Sequence, residues 1–300
     1  ILFWQGLAIC VSNLVLIFIQ MADSISFYSL LIGAGEQAES AKVLKGVYDR
    51  SIPLMQLGTV VTTSFSLSLI PIITAAKERG DLSFIREKVK LAMKITFVIG
   101  FAAAIGLTCI IQPTNIMLFE NSDGSDVLSI LSLSILFSSL SITTASILQG
   151  LGQTLKPAIF VIFGGCLKLA LNYTLMPYFG VKGAAIATLV ALIVISVLNS
   201  ALLMQAVSES LIDKRNMLGV IISGIGMGFV LIIFIRVMQM SGLVIDTRHR
   251  GIATLEALLG VAIGGLTYVF LILKLRVFTK AEIGTVMKKE KKEGSLKKSG

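Results

Sequence analysis

Residues 218–240 read LGVIISGIGMGFVLIIFIRVMQM, and this stretch decides the class of fold. Arg236 is its one charged side chain. A helix rises ~1.5 Å per residue, so about 20 apolar residues cross a hydrocarbon layer of ~30 Å. In lipid each backbone amide must find its partner inside the segment, which selects a helix for such a run. Seven more runs of this kind lie upstream and downstream. Their approximate bounds are Gln5–Ile32, Ile52–Ala76, Leu91–Ile111, Val127–Leu148, Ala158–Met176, Gly183–Ala206 and Ile252–Leu275. Together they use most of the 300 residues and leave no segment large enough for a separate soluble core. The expected fold is an all-α, polytopic membrane helix bundle of about eight transmembrane helices.

Composition agrees. Hydrophobic residues make up 55% of the chain and charged residues 14%, against roughly 25% charged in a soluble domain. The net charge of +9 raises the question of nucleic acid, and its placement answers it. Of the 26 Lys and Arg, 18 fall in the segments 77–94, 149–157, 207–217 and the tail from Lys274. The alternate segments 33–50, 112–126, 177–182 and 241–251 hold six, and Lys168 and Arg236 lie inside spans. Such alternation is an orientation signal and predicts both ends in the cytoplasm, with no nucleic-acid partner. The Lys-rich tail from Thr279 is expected to meet an anionic membrane surface or to be disordered. The chain opens at Ile1 without a Met and reads as a piece of a longer protein.

Cys10, Cys109 and Cys166 all fall within apolar runs, make no disulfide or metal spacing, and read as small buried residues. Gly224 and Gly228, like Gly260 and Gly264, are small residues four apart, which lets helices approach closely in lipid. No phosphate-binding loop, His-Glu-x-x-His or Gly-x-Ser-x-Gly motif is present, so enzyme chemistry is not expected.

A charge inside a span costs roughly 2.5–3.5 kcal/mol on insertion scales, so function is sought among the few polar residues there. Asp23 follows Gln20 in the first span and reads as a cavity carboxylate or an interfacial residue. Lys168 and Asn172 are four apart, hence on one helix face; Lys168 either snorkels or serves as an internal cation. Thr188 adds an oxygen across a short turn. If Asp23, Asn172 and Thr188 converge, they frame an oxygen-lined site. A sodium ion, a proton or the Lys168 ammonium is left to balance the carboxylate. Asp49 and Arg50 open the second span ahead of Pro53, which suits a helix's first turn. They point about 100° apart and do not simply neutralise each other. Arg50 reads either as a helix-end anchor or as a donor fork for phosphate. Arg236 and Glu256 lie at similar depth and could pair, with anchoring the better expectation. His249 reads as a solvated loop residue.

Three stretches resemble one family. Gly46-Val-Tyr-Asp-Arg-Ser-Ile-Pro-Leu-Met-Gln-Leu-Gly58 with Leu69-Ile-Pro71 is similar to the entry of the eighth helix of the polysaccharide and lipid II flippases of MurJ and SpoVB/YtgP type. The segment Lys168–Thr188, with Asn172, Met176-Pro177, Gly180 and Gly183-Ala-Ala-Ile-Ala-Thr188, resembles their eleventh-to-twelfth helix turn. Ser146-Ile-Leu-Gln-Gly-Leu-Gly-Gln153 before Lys156-Pro157 is similar to their tenth-to-eleventh loop.

The family belongs to the multidrug/oligosaccharidyl-lipid/polysaccharide exporters. The resemblance implies a C-terminal lobe of six helices in 1–206, two additional helices in 207–277 and a basic cytoplasmic tail in 278–300. It implies a bacterial cytoplasmic membrane protein whose N-terminal lobe lies outside this sequence. It implies alternating access that carries a lipid-linked oligosaccharide diphosphate, lipid II or a related unit, among membrane lipids. It assigns Arg50, Asp49 and Lys168 to substrate binding and Asp23, Asn172 and Thr188 to a cation or counter-ion site. No cofactor is implied beyond a coupling Na+ or H+, and Lys168 departs from an all-oxygen site. A cation-coupled drug exporter and a non-transporting scaffold in cell-wall synthesis are the alternatives.

Overall fold

A computed structural model describes residues 14–208, 214–240 and 250–278. Ten helices occur among them: α1 (Val15–Gly33), α2 (Ala38–Asp49), α3 (Ser51–Glu78), α4 (Leu82–Cys109), α5 (Ile111–Phe119), α6 (Ser125–Gly150), α7 (Leu155–Phe179), α8 (Val181–Val207), α9 (Lys214–Met240) and α10 (Arg250–Lys274). Eight stretches are long and apolar enough to cross a membrane, with α2 and α3 counted as one continuous stretch of 41 residues. The chain is a multi-pass, all-α membrane protein. Cys10, His249 and the tail from Thr279 lie outside the described residues, as does the start of the first span.

Two helices occupy segments that read as loops. α2 carries Glu39, Lys42, Lys45 and Asp49, so its apolar content is too low to signal a span. It folds because Ala41, Val47 and Tyr48 are buried against the bundle. α5 folds back at the same end as a short helix over 111–119, and Glu120 ends it in the left-handed region at φ 64°. α4 begins nine residues before the apolar run at Leu91, because Asp81 caps it by accepting from the Phe84 amide at 3.0 Å.

α6 is the axis of the bundle and its most buried spanning helix. It packs on α3, α4 and α8. Lipid offers little hydrophobic drive for joining helices, so polar bonds and close packing hold them. Thr62 donates to Ser139 at 3.0 Å, and Thr143 bonds Ser66 at 2.7 Å and Thr96 at 2.9 Å. Two glycines permit the closest approaches. A Cβ at Gly150 would lie 3.0 Å from the Ile70 carbonyl oxygen, and one at Gly183 would lie 2.7 Å from the Leu175 carbonyl.

The spaced glycines of the last two helices also meet neighbours. A Cβ at Gly224 would lie 2.2 Å from the Phe101 ring, and one at Gly228 3.3 Å from Ile105, which seats α9 on α4. Gly260 faces Ile110 and Gly264 faces Leu231. The Tyr268 hydroxyl donates to the Val98 carbonyl at 2.9 Å, tying α10 to α4.

The turns at 34–37, 120–124 and 180 share one end of the bundle. Those at 79–81 and 151–154 share the other, here termed the basic end because Lys77, Arg79, Arg86 and Lys156 cluster there.

Candidate functional site: a buried ion pair beneath a polar cavity

A cavity of about 140 Å³ lies between α1, α2, α3, α6, α7 and α8. Gln20 and Ser24 border it from α1, Lys45 and Asp49 from α2, and Leu131 from α6. At its inner wall the Lys168 ammonium lies 2.5 Å from Asp23 Oδ2 and donates to the Ile19 carbonyl at 3.0 Å. Both side chains are almost wholly enclosed, at 0% and 5% exposure. An ion pair so deep persists only if its remaining lone pairs and protons are also met.

They are met from three helices. Asn172 Nδ2 donates to Asp23 Oδ1 at 3.2 Å and to Ser26 Oγ at 2.9 Å. The Tyr48 hydroxyl donates to Asp23 Oδ2 at 3.0 Å and lies 2.9 Å from Thr188 Oγ1. Asn172 stands one turn beyond Lys168 on the same face of α7, which is why one carboxylate can take both. Ile19 and Asp23 are likewise one turn apart on α1, so the ammonium bridges backbone and side chain of a single helix turn.

At the cavity mouth, Lys45 pairs with Asp49 four residues on. The Lys45 ammonium also lies 5.4 Å from the Phe27 ring centre and 5.8 Å from that of Tyr48. Cationic attraction to both ring faces holds it over the opening. With about a quarter of its side chain exposed, Lys45 is the cation at this wall that water reaches.

Arg50 points elsewhere and is not among the residues lining this cavity. Its Nη1 donates to Asn121 Oδ1 at 2.6 Å and to Asn115 Oδ1 at 3.2 Å, and its guanidinium lies 5.0 Å over the Phe119 ring. Asn115 is itself fixed, donating to the Asp123 carbonyl at 2.9 Å and to Ser125 at 3.0 Å. Arg50 thus ties the start of α3 to the α5–α6 hairpin.

The structure therefore brings Asp23, Asn172 and Thr188 together and sets the Lys168 ammonium among them. Asp49 stands apart at the mouth, and Arg50 is engaged outside the cavity. Tyr48, Lys45 and Ser26 belong to the cluster and did not stand out in the sequence. For Lys45 and Tyr48 the signal was the helical spacing of Ala41, Lys45, Tyr48 and Asp49, and for Ser26 its place three residues after Asp23. No ion pair joins Arg236 and Glu256: Arg236 is exposed, while Glu256 is 7% exposed with Oε1 unpartnered. Cys109 is half-buried, as an apolar run suggests, whereas Cys166 faces outward from α7.

No family model matches the chain. It is 41% identical over 285 residues to an uncharacterized membrane protein, YabM, of Bacillus subtilis (strain 168), covering 94% of this chain and 52% of that one. It is 25% identical over 275 residues to the lipid II flippase MurJ of the same organism, covering 88% and 48%. Among solved structures, lipid II flippase MurJ in an inward closed conformation superposes with a TM-score of 0.60 at 16% identity, over 90% of this chain and 52% of the other. The fold is shared with MurJ. The chain spans about half the length of the curated relatives it matches.

Proposed function

We propose that this chain forms part of a flippase that moves an isoprenoid-diphosphate-linked sugar, lipid II or a related polysaccharide unit, across the bacterial cytoplasmic membrane by alternating access. The observation that carries the reading is a polar, ion-paired cavity wall inside a membrane-spanning bundle whose fold is shared with MurJ. A sugar diphosphate crosses hydrocarbon only if protein groups replace its water, and a charged group in a span is a marker of such a path. The excess of Lys and Arg in the turns at the basic end supports a cytoplasmic position for that end. A further lobe from outside this sequence would complete the cavity.

In this reading Lys45 is the first phosphate contact. A diphosphate competes with Asp49 for its ammonium, because both are oxyanions and the phosphate carries more charge. Arg50 follows in a second state: held by Asn115 and Asn121, its fork becomes available when the α5–α6 hairpin moves away. Asp23, Asn172 and Thr188 form a counter-ion site whose resident cation is Lys168. A covalently held ammonium takes the place that sodium would fill, so transport runs on membrane potential or protons and needs no sodium. No covalent chemistry is involved.

The test uses the full-length protein in a bacterium whose own lipid II flippase can be depleted. Outer-leaflet lipid II is measured for the parent, Lys45→Ala and Arg50→Ala at matched membrane abundance. Restored exposure with the parent and loss with Lys45→Ala supports the reading. Failure of a well-inserted parent removes lipid II as the substrate. Equal rescue by both variants removes the assigned contacts.

A further inference from the structure

α6 and α8 run side by side in the same direction, because α7 returns the chain between them. The bond from Asn199 Nδ2 to Ser141 Oγ, at 3.3 Å, fixes their register. One face of α6 then presents Ser134, Ser138, Ser141, Ala145 and Gln149, spaced by threes and fours. Opposite it, α8 presents Thr188 and Asn199, about 16 Å apart along one face, with the buried Leu192 and Ile195 between them. The seam starts at the cavity, where Leu131 and Thr188 both border the opening and Ser134 is one turn below. It finishes at the basic end, where Gln149 precedes the α6–α7 turn.

Ser138 donates to the Ile135 carbonyl of its own helix at 3.0 Å, but other polar atoms along this seam lack protein partners. Ser134 Oγ, Asn199 Oδ1 and both amide atoms of Gln149 are buried and unpartnered. Ser134 and Asn199 are 0% exposed and Gln149 7%. The sequence of orphaned atoms continues at both extremities: Asn172 Oδ1 beside the ion pair, and Gln153 Oε1 in the turn at the basic end. On the flank of α6, Ser139 and Thr143 are bonded to α3 and α4, while Ser146 Oγ one turn on is also unpartnered.

A buried amide or hydroxyl without a partner is strongly unfavourable, and internal water is the usual partner at narrow polar sites. We propose that the α6–α8 seam holds a file of water molecules running from the basic end to the Asp23–Lys168 pair. Hydroxyls one turn apart on α6 are about 5–6 Å from each other, a gap that one water spans with two hydrogen bonds. Between Ser141 and Gln149 the gap is about 12 Å. There Ala145 leaves room, and side chains tilt toward a helix's N-terminus, which carries the Gln149 amide back along the seam. The rival arrangement is a dry contact of small side chains.

The two are separated with aqueous silver ion as the probe. In the full-length protein Cys10, Cys109 and Cys166 are replaced by alanine, and one new cysteine is placed at Ser138 (S138C) or, as a control, at Ala191 (A191C). Both positions are 0% exposed, and Ala191 belongs to an apolar cluster. Loss of free thiol is followed after quenching and denaturation. Silver reacts with thiolate, which forms in water and is suppressed in apolar surroundings, so S138C is expected to react at least about tenfold faster than A191C. Adding Gln149→Leu is expected to slow S138C only in part, because it closes the route from the basic end and leaves entry past Leu131 and Thr188 open. Equal inertness of S138C and A191C overturns the proposal. If S138C does not insert, Ser134→Cys takes its place. Neither outcome depends on which substrate is carried.

Discussion

Lys168 reaches across from α7 to within 2.5 Å of the Asp23 carboxylate on α1, and neither side chain is open to solvent. Each charge there is tolerable only because of the other. Removing one leaves its partner stranded in a low-dielectric interior, typically at about 3–5 kcal/mol, whereas replacing both with apolar groups is often neutral. Lys168→Met is therefore expected to lower the melting temperature markedly, and Asp23→Leu combined with Lys168→Met to recover most of the loss. Thermal unfolding in detergent, followed by size-exclusion, reads this. If the double variant melts as low as the single one, the pair is not the source of the effect.

Tyr48→Phe isolates one hydroxyl. The ring keeps its contact with Phe27 at 4.9 Å between centroids, while Asp23 and Thr188 lose a shared partner. A hydrogen bond to a charged group contributes about 1.5–3 kcal/mol, and a loss in that range is expected in the same melting assay. A Tyr48→Phe protein as stable as the parent would mean that water replaces the hydroxyl fully.

Arg50 acts on the α5–α6 hairpin at the same end of the bundle. Arg50→Ala and Asn121→Ala are each expected to raise amide hydrogen exchange across 111–124, with little change in α6 below Leu131. Their effects should be less than additive, since both remove the Arg50–Asn121 bond. Additive increases would show that Arg50 and Asn121 stabilise the hairpin separately.

Asp81 titrates outside the spans. The Phe84 amide, then the Ser83 hydroxyl, hold its carboxyl below the usual value for an aspartate. A folded value lower than the unfolded one means the contribution is complete above the unfolded pKa of about 3.9 and is lost as pH falls through the folded one. Exchange protection at the start of α4 should therefore drop selectively below about pH 4. Asp81→Asn can still cap and should lack this step; the same acid step in Asp81→Asn would assign it to another group.

Gly183→Ala tests the α7–α8 turn. The added Cβ would sit 2.7 Å from the Leu175 backbone, which cannot rotate away as a side chain can. A loss of about 1–3 kcal/mol is expected from such overpacking, measured by thermal melting. Melting unchanged from the parent would show that the turn relaxes at no cost.

Much of this architecture is legible in the sequence because hydrocarbon imposes one rule on every span. Runs of apolar residues mark the end of α1 and the bounds of α3, α4 and α6 to α10 to within a few residues, save the charged start of α4, where the Asp81 cap sets the boundary; the expected start of α1 at Gln5 lies outside the described residues. α2 and α5 escape the same rule: they lie at one end of the bundle, are short, and fold through contacts that distant segments supply. The polar cluster divides in the same way. Spacing puts Lys168 and Asn172 on one face, and rarity singles out Asp23. The direction of Arg50 was not legible, because it depends on Asn115 and Asn121, some seventy residues away. Tyr48 was overlooked since a tyrosine near the end of a span is ordinary until its neighbours are known.

The bond between α1 and α7 also constrains how the bundle can deform. Sliding one helix past the other by a single turn would carry the ammonium about 5 Å from its carboxylate and leave two bare charges in an apolar layer. α1 and α7 are thus obliged to travel as one rigid unit. The joints about which that unit can swing are the turns at 34–37, 151–154 and 180, which attach it to α2, α6 and α8.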